Sequence, residues 1–484
     1  MRLYFRKLWL TNLFLGGALA SSAAIKASDF YTDKIKEAKK TVNLVKDYKV
    51  NNKDDQDDSK NLQKAIDDLT AIKKGGVINI PEGKYYFKNI ILKSNVHIVI
   101  DEKATIYATY PGSDKNFMIM SFGDESHRAK NVSVRAKKGM YTVDLSVSKN
   151  KNVRMFQVNN SENFLIEGMN ILDDNTKFNG ITLGYCKYNG KYVMPENGVI
   201  KNCRIEKAHY GYGLIQSQAS TNVYYENIWG DGGVTLRLET DNLKMNDLQV
   251  GGNHNIHGKN IYCQNGNAAL MISPHSMQNG HVEMDGVESV NCGFAVRIGK
   301  GYVSKKQKVA NLKPGTYANQ AVESKLGRGC AQTPYARGNG GTRWAARVTQ
   351  KDACLDKAKL EYGIEPGSFG TVKVSNIKST YGTTAQVKSK HFKYMPCPER
   401  KLIRVCLPTK DGKNPDGESF KAPSCVTVVN TKRINFPVNA KGKGGAPKGY
   451  WNVEITNVES VGYPHQSKDI LYEQDAVKNC KEGK

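Results

Sequence analysis

The sequence predicts an all-β protein: a right-handed parallel β-helix with an N-terminal capping helix and inserted lid and side domains. First, a short motif recurs along most of the chain, with Asn, Gly or Asp at its ends and apolar residues at alternate positions between them. Second, another series of short apolar strands alternates with this motif at irregular intervals of about 20–35 residues, a spacing typical of a solenoid. A jelly roll or sandwich, the main competitor, does not predict so many copies of one motif.

The first residues are typical of a secretory signal. Basic residues precede the largely apolar run 8–20, and small residues end near Ala24. A basic start, a short apolar stretch and small residues before the cleavage site are the successive parts of a signal peptide. The apolar run is too short to span a bilayer comfortably. We therefore predict a signal peptide over 1–24, a secreted protein and no membrane partner, with a lead-in over 25–52.

The β-helix core is predicted over 53–302. Acidic residues and Ser59 precede an apolar stripe at helical spacing, and Gly75 ends it, so we expect a helix at about 59–73 that caps the first coil. Strands of the alternating series follow, and we take one residue of each as structurally equivalent: Leu183, Leu214, Leu236, Leu270 and Val296.

Two stretches interrupt the repeat. The first, predicted as an inserted lid domain over 303–370, is rich in basic residues and includes Tyr335 and Trp344. A coil returns at 371–386, a second insertion follows at 387–437, and a last coil with a tail occupies 438–484. Insertions on one face of a solenoid often build its binding site.

The formal net charge is +25. An excess of this size on an exported protein implies a polyanionic partner, such as nucleic acid, an acidic membrane or an acidic polysaccharide. Composition alone does not choose among them.

Ten cysteines are present, without the spacing of a zinc site. Four of them lie in strand-like contexts and are expected to be buried thiols: Cys186, Cys203, Cys263 and Cys292. Two local disulfides are plausible from position alone: Cys330 with Cys354, and Cys397 with Cys406.

The stretch 233–243 carries the strongest chemical signal. Its alternation places Val234, Leu236 and Leu238 on one face of a strand and Thr235, Arg237, Glu239 and Asp241 on the other. Residues two apart on a strand lie about 6.5–7 Å apart, and a carboxyl separation of ~6.5–9.5 Å suits an inverting glycoside hydrolase. We therefore predict that Glu239 and Asp241 are a general acid and a general base.

Stacking of the coils adds neighbours to this pair. Arg297 aligns with Arg237 two coils on, and both are expected to face solvent. His275 aligns near Asp241. Gln216 falls near the level of Leu238 and Glu239, with its direction left open. Arginines favour a sulfated or carboxylated sugar, because a guanidinium pairs with such anions through two hydrogen bonds. Nucleic acid is less favoured, because its phosphates would face the carboxylates of Glu239 and Asp241.

At these residues the chain resembles the iota-carrageenases, glycoside hydrolases of marine bacteria. The resemblance rests on 212–216, Leu236 to Leu243, Pro274-His275 and 320–371, and it covers most of the mature chain. It is stronger in the signal peptide and over 320–374 than in the β-helix, which suggests that segments of different family members are combined.

The resemblance implies endo-hydrolysis of β-1,4 linkages in iota-carrageenan, a sulfated galactan, with inversion of configuration. It implies that Glu239 is the proton donor and Asp241 the base, with support from His275 and Gln216. Sulfate-binding positions match Arg237, Arg297 and Arg347. A family glutamate aligns with Ser304, so the mode of attack is open.

We expect no catalytic cofactor, a structural calcium, sodium or chloride ion, no nucleic acid partner, and a monomer. The alternatives are a β-helix polysaccharide lyase and a non-catalytic binder of polyanionic polysaccharide.

Overall fold

The computed structural model describes residues 25–248, 250–301, 332–337, 341–348, 367–406, 418–431 and 451–480. Ser304, Cys330, Cys354 and the predicted signal peptide lie outside these ranges. Across the described residues, no helix is long and apolar enough to cross a membrane. The predicted domain boundaries stay predictions.

The chain forms a right-handed parallel β-helix, which confirms the predicted fold class. Coils of the solenoid contribute strands to two long parallel sheets. Sheet A has fourteen strands: Lys40–Asn43, Gly76–Ile80, Gly83–Phe87, Val96–Ile100, Ala104–Ala108, Ala129–Ala136, Tyr141–Asp144, Ser161–Leu172, Glu196–Ala208, Ala219–Gly232, Gly252–Gln264, Gln278–Val290, Ser368–Thr380 and Asn452–Val461. Sheet B has ten: Ile90–Leu92, Phe117–Phe122, Val153–Val158, Ile181–Leu183, Ile215–Ser217, Val234–Glu239, Ala268–Ser273, Phe294–Ile298, Val428–Asn430 and Ile470–Tyr472.

Asparagines stack at corners within the strands of sheet A. Asn227 has a φ of 53° and donates from Nδ2 to Oδ1 of Asn202 at 2.9 Å, while Asn260 donates to Asn227 at 2.9 Å. A second ladder joins Asn222 to Asn197 at 2.7 Å and Asn255 to Asn222 at 2.8 Å. Asn is suited to these corners because it tolerates the left-handed conformation and its side chain satisfies its own neighbours. The recurring Asn of the sequence motif is therefore a corner residue.

The capping helix spans Ser59–Thr70, close to the predicted bounds. Its apolar face is fully buried in the main core through Leu62, Ala65, Ile66 and Leu69. The other helices are Leu44–Tyr48 and Leu243–Leu248, and short 3₁₀ turns occupy Ala27–Asp29, Ile35–Glu37, Ser389–Tyr394, Cys397–Leu402 and Glu473–Asp475.

The second inserted stretch contains an antiparallel sheet of three strands, Ala385–Lys388, Arg404–Val405 and Ser419–Ala422. Val387 and Tyr394 of this stretch share an apolar cluster with Met271 and Phe294 of sheet B. The insertion thus covers the outer face of sheet B. Two hairpins complete the described strands: Cys186–Tyr188 with Lys191–Val193, and Gln332–Arg337 with Gly341–Val348.

The predicted register is right in its later coils and wrong at the two earlier steps. Leu236 pairs with Leu270, and Leu270 with Val296, as expected. Leu236 pairs on its other side with Ile215 rather than Leu214. The preceding turn needs Gly213, with a φ of 150°, because a Cβ there would lie 1.8 Å from the Val234 carbonyl oxygen. One coil earlier, Leu183 pairs with Ser217 rather than with Leu214, a displacement of three residues.

The cysteine predictions are partly corrected. The four expected thiols are buried and reduced: Cys186, Cys203, Cys263 and Cys292. Cys397 forms its disulfide with Cys480, not with Cys406, and thereby ties the inserted stretch to the C-terminal tail. Cys406 is buried directly after the short strand Arg404–Val405.

Candidate active site

The strand Val234–Glu239 lies in the middle of sheet B. Leu236 and Leu238 are fully buried in the solenoid core, as predicted. The start of the strand departs from the predicted alternation. Val234 packs in the apolar cluster of the second insertion, whereas Thr235 is buried and donates from Oγ1 to the Tyr262 carbonyl at 2.8 Å.

Glu239 is held between the side chains of Arg237 and His275. Its Oε2 accepts from Nη2 of Arg237 at 2.5 Å, and its Oε1 lies 2.8 Å from Nε2 of His275. Only 7% of Glu239 is exposed. Burial alone would raise the pKa of Glu239, but the positive charge of Arg237, the hydrogen bond with His275 and the charge of Arg297 hold it well below its usual range. Glu239 is therefore ionised in the substrate-free protein.

Asp241 follows the end of the strand and is exposed to solvent. Its Oδ1 accepts from Nε2 of Gln218 at 2.7 Å. Two effects raise the pKa of Asp241: the crowding of its carboxylate by protein atoms and the negative charge of Glu239. Solvent still reaches the carboxylate. The two carboxyls of the pair thus have pKa values that are shifted in opposite directions, which is typical of acid and base partners.

His275 has a backbone conformation that is rare outside glycine and asparagine. Its φ is 50°, directly after Pro274. Such strain persists where the surrounding structure fixes it, and it is concentrated at functional sites. Here it directs the imidazole back toward Glu239.

Gln216 pairs in register with Arg237 and faces outward. The predicted position is one residue further along the strand, level with Leu238 and near Glu239. This is the consequence of the one-residue register error, since a slip of one reverses every side chain. Gln216 Oε1 accepts from Nδ2 of Asn179 at 2.9 Å. Its Nε2 is buried and has no hydrogen-bond partner among the described residues.

Arg237 and Arg297 lie on the same outward ladder, as predicted, but are largely buried rather than facing solvent. His391 of the second insertion lies against Arg297, with its Nε2 3.5 Å from Nη1 of the guanidinium. Arg237 donates to the Gly211 carbonyl, and Arg297 donates to Asn267 Oδ1 and to the Met271 sulfur. Burial lowers the pKa of Arg297 to about 10 despite the nearby Glu239.

The second insertion adds basic residues that sequence reasoning missed. Burial and the positive charge of Arg297 lower the pKa of Lys388, and the same effects lower that of Lys390 to about 8 although its side chain is exposed. His391 is buried and its pKa falls well below the usual value for the same reasons. We call these three residues and Arg297 the cationic cluster. The Lys-x-Lys-His run at the start of the insertion was the available signal.

Aromatic side chains lie beside the same residues. The ring of Tyr210 lies 5.5 Å from Nζ of Lys388, and Phe178 lies 6.0 Å from Tyr212 between ring centres. Arg347 is on the strand Gly341–Val348, and its side chain lies outside the described residues. The described site therefore brings together six of the seven predicted residues.

No family model matches the chain. A curated iota-carrageenase of Alteromonas macleodii is 45% identical over 466 residues, which cover 91% of this chain and 94% of the relative. This chain belongs to the iota-carrageenase family.

Other iota-carrageenases agree along nearly the whole chain. That of Zobellia galactanivorans is 38% identical over 449 residues, covering 91% of this chain and 86% of the relative. A solved iota-carrageenase complexed with iota-carrageenan fragments superposes with a TM-score of 0.83 at 37% identity, covering 95% of this chain and 97% of that one. The iota-carrageenase of family GH82 from A. fortis gives a TM-score of 0.84 at 39% identity, with 95% of each chain covered.

Proposed function

We propose that this protein is a secreted, endo-acting glycoside hydrolase that cleaves the β-1,4 linkages of iota-carrageenan with inversion of configuration. The observation that carries the proposal is the Glu239–Asp241 pair beside the cationic cluster, in a chain of the iota-carrageenase family. Secretion would follow from the signal peptide predicted over 1–24.

In this proposal Glu239 protonates the leaving oxygen and Asp241 activates water. The ionised state of Glu239 in the free protein opposes the first role, because a general acid must carry a proton. A bound sulfate would resolve the conflict. Its negative charge would offset Arg237 and Arg297, the cations that keep the pKa of Glu239 low, so that Glu239 gains its proton in the complex.

Asp241 has the features of the base. It is open to solvent, and Gln218 fixes the orientation of its carboxylate. Its raised pKa makes it a stronger proton acceptor than an ordinary aspartate.

The cationic cluster suits a sulfated galactan. Four cationic or basic groups face few carboxylates there, chiefly Glu239 and Glu418. Sulfate groups would supply the missing negative charge, and Arg can pair with them through two parallel hydrogen bonds. The uncommitted Nε2 of Gln216 is a donor, so it fits a small anion such as chloride better than calcium or sodium.

A substrate panel tests the function. Purified protein is incubated with iota-, kappa- and lambda-carrageenan, agarose and pectate, and reducing ends and absorbance of unsaturated products are measured. We expect reducing ends from iota-carrageenan without new ultraviolet absorbance. Release of unsaturated product would indicate a lyase, and no release from any polymer would leave only binding.

A further inference from the structure

Three ligand-type side chains form a cluster on sheet A, apart from the catalytic strand in sheet B. His257 lies on the strand Gly252–Gln264, and His281 and Glu283 lie on the adjacent strand Gln278–Val290. His257 pairs in register with Glu283, and His281 precedes Glu283 by two residues on the same face. One nitrogen or oxygen of each residue lies within 4.8 Å of the other two.

Neighbouring hydrogen bonds orient both imidazoles. Nδ1 of His281 lies 2.6 Å from the Thr371 hydroxyl, while Nε2 lies 3.4 Å from Oε2 of Glu283. Nε2 of His257 lies 2.9 Å from Oδ1 of Asn255, which leaves Nδ1 available. Histidine ligands of metals characteristically use one ring nitrogen for the ion and the other for such an oxygen.

The spacing also fits a single small ion. Two ligands of a tetrahedral zinc ion lie about 3.3–3.4 Å apart, given metal–ligand bonds of ~2.0–2.1 Å. The separation of His281 Nε2 and Glu283 Oε2 already has this value. His257 is only 7% exposed, and the ring of Phe30 lies 5.3 Å from its ring, so the apolar N-terminal segment shields this ligand from water.

His281 differs in residue type from the equivalent positions of the preceding coils. The register places it beside Asn255, whose side chain continues the corner ladder to Asn222. An imidazole therefore stands where the preceding coils have asparagine, and it contacts a carboxylate that those coils lack. Two cations neighbour the cluster. Lys259 is paired with Glu226 at 2.9 Å, and Lys373, the in-register partner of Glu283 on the next strand, lies 4.0 Å from Glu454.

We propose that His257, His281 and Glu283 bind a divalent first-row transition metal ion such as Zn²⁺. Two imidazoles and one carboxylate suit zinc, cobalt or nickel, whereas calcium and magnesium require mainly oxygen ligands. The ion would join two adjacent coils and stabilise the β-helix without taking part in hydrolysis.

The test uses the full mature chain, purified with a tag that lacks histidine and treated with chelator. Calorimetric titration with ZnCl₂ is expected to show one site with a Kd below about 10 μM, and Co²⁺ is expected to give the visible absorbance of a four-coordinate complex. At a hundredfold excess over Kd, zinc is expected to raise the Tm by roughly 3 °C.

Matched variants locate the site. His281→Asn restores the residue type of the corner ladder, and Glu283→Gln removes the charge with little change of shape. Both are expected to lose the zinc site and the cobalt spectrum while keeping hydrolytic activity. The control His254→Gln changes a histidine of the same strand outside the cluster and is expected to keep the site. No zinc binding by the parent protein, or unchanged binding in both cluster variants, would overturn the proposal.

Discussion

His275 contacts Glu239 across one coil of the β-helix, with Nε2 of the imidazole 2.8 Å from Oε1 of the carboxylate. The contact depends on a left-handed backbone at His275, with a φ of 50°. Together with Arg237 it keeps Glu239 ionised in the substrate-free protein. If Glu239 is the general acid, as we propose, acid–base chemistry at this site is coupled to binding of a charged substrate.

Loss of either carboxyl is expected to abolish most activity. Glu239→Gln and Asp241→Asn should each lower kcat on iota-carrageenan by about 10²–10⁴-fold, because a general acid or base is removed. Circular dichroism and Tm are expected to stay near those of the parent. Glu226→Gln, on the far sheet, serves as the control and should keep full activity. Near-normal turnover in both site variants would disprove their roles.

The two roles can be separated with an activated substrate. On an aryl β-glycoside of a carrageenan oligosaccharide with a good leaving group, Glu239→Gln is expected to regain activity, because departure no longer needs a proton. Asp241→Asn is expected to remain inactive on both substrates, since water still needs a base. The reverse pattern in initial rates would exchange the assignments.

Gln218 is expected to set the acidic limb of the pH–rate profile. Its hydrogen bond stabilises the ionised form of Asp241 and so lowers the pKa of that group. Gln218→Leu removes this effect and should shift the acidic limb of kcat, which reports the enzyme–substrate complex, to higher pH. Gln264→Leu on sheet A is the control. An acidic limb at the parent position would show that Asp241 does not govern it.

The lowered pKa of Lys390 predicts weaker substrate binding at alkaline pH. Its pKa of about 8 means that the ammonium is charged below this pH and neutral above it. KM for iota-carrageenan should therefore rise as the pH passes about 8. Lys390→Met is expected to have a higher KM at pH 7 and to lack this rise, whereas Lys64→Met on the capping helix should behave like the parent. Identical KM–pH curves for Lys390→Met and the parent would contradict the assignment.

The asparagine ladder is expected to contribute to stability rather than to catalysis. Asn227→Ala loses two ladder hydrogen bonds and places alanine at a positive φ, which should lower the free energy of unfolding by about 1–3 kcal/mol. Asn227→Gly keeps the conformation but loses the bonds, so it should be intermediate. Thermal denaturation measures both effects. Equal Tm values for all three proteins would exclude the ladder as a stabilising element.

Much of this architecture could be predicted from sequence because a solenoid repeats its signals. Periodic Asn corners and apolar alternation indicated the sheets, and they placed Arg237 and Arg297 on one ladder. The direction of Gln216 could not be predicted, because it depends on where the turn at Gly213 ends. Burial of the arginines depends on a distant insertion, as does the disulfide of Cys397 with Cys480. Local patterns carry no information on such contacts.

The most direct test of the central claim is the anomeric form of the first product. Iota-carrageenan is digested inside the NMR tube, and the proton signals of the new reducing ends are recorded before mutarotation. Inverting hydrolysis of a β-linkage by Glu239 and Asp241 predicts that the α-anomer appears first and the β-anomer grows in later. Initial appearance of the β-anomer would mean retention and would contradict the account.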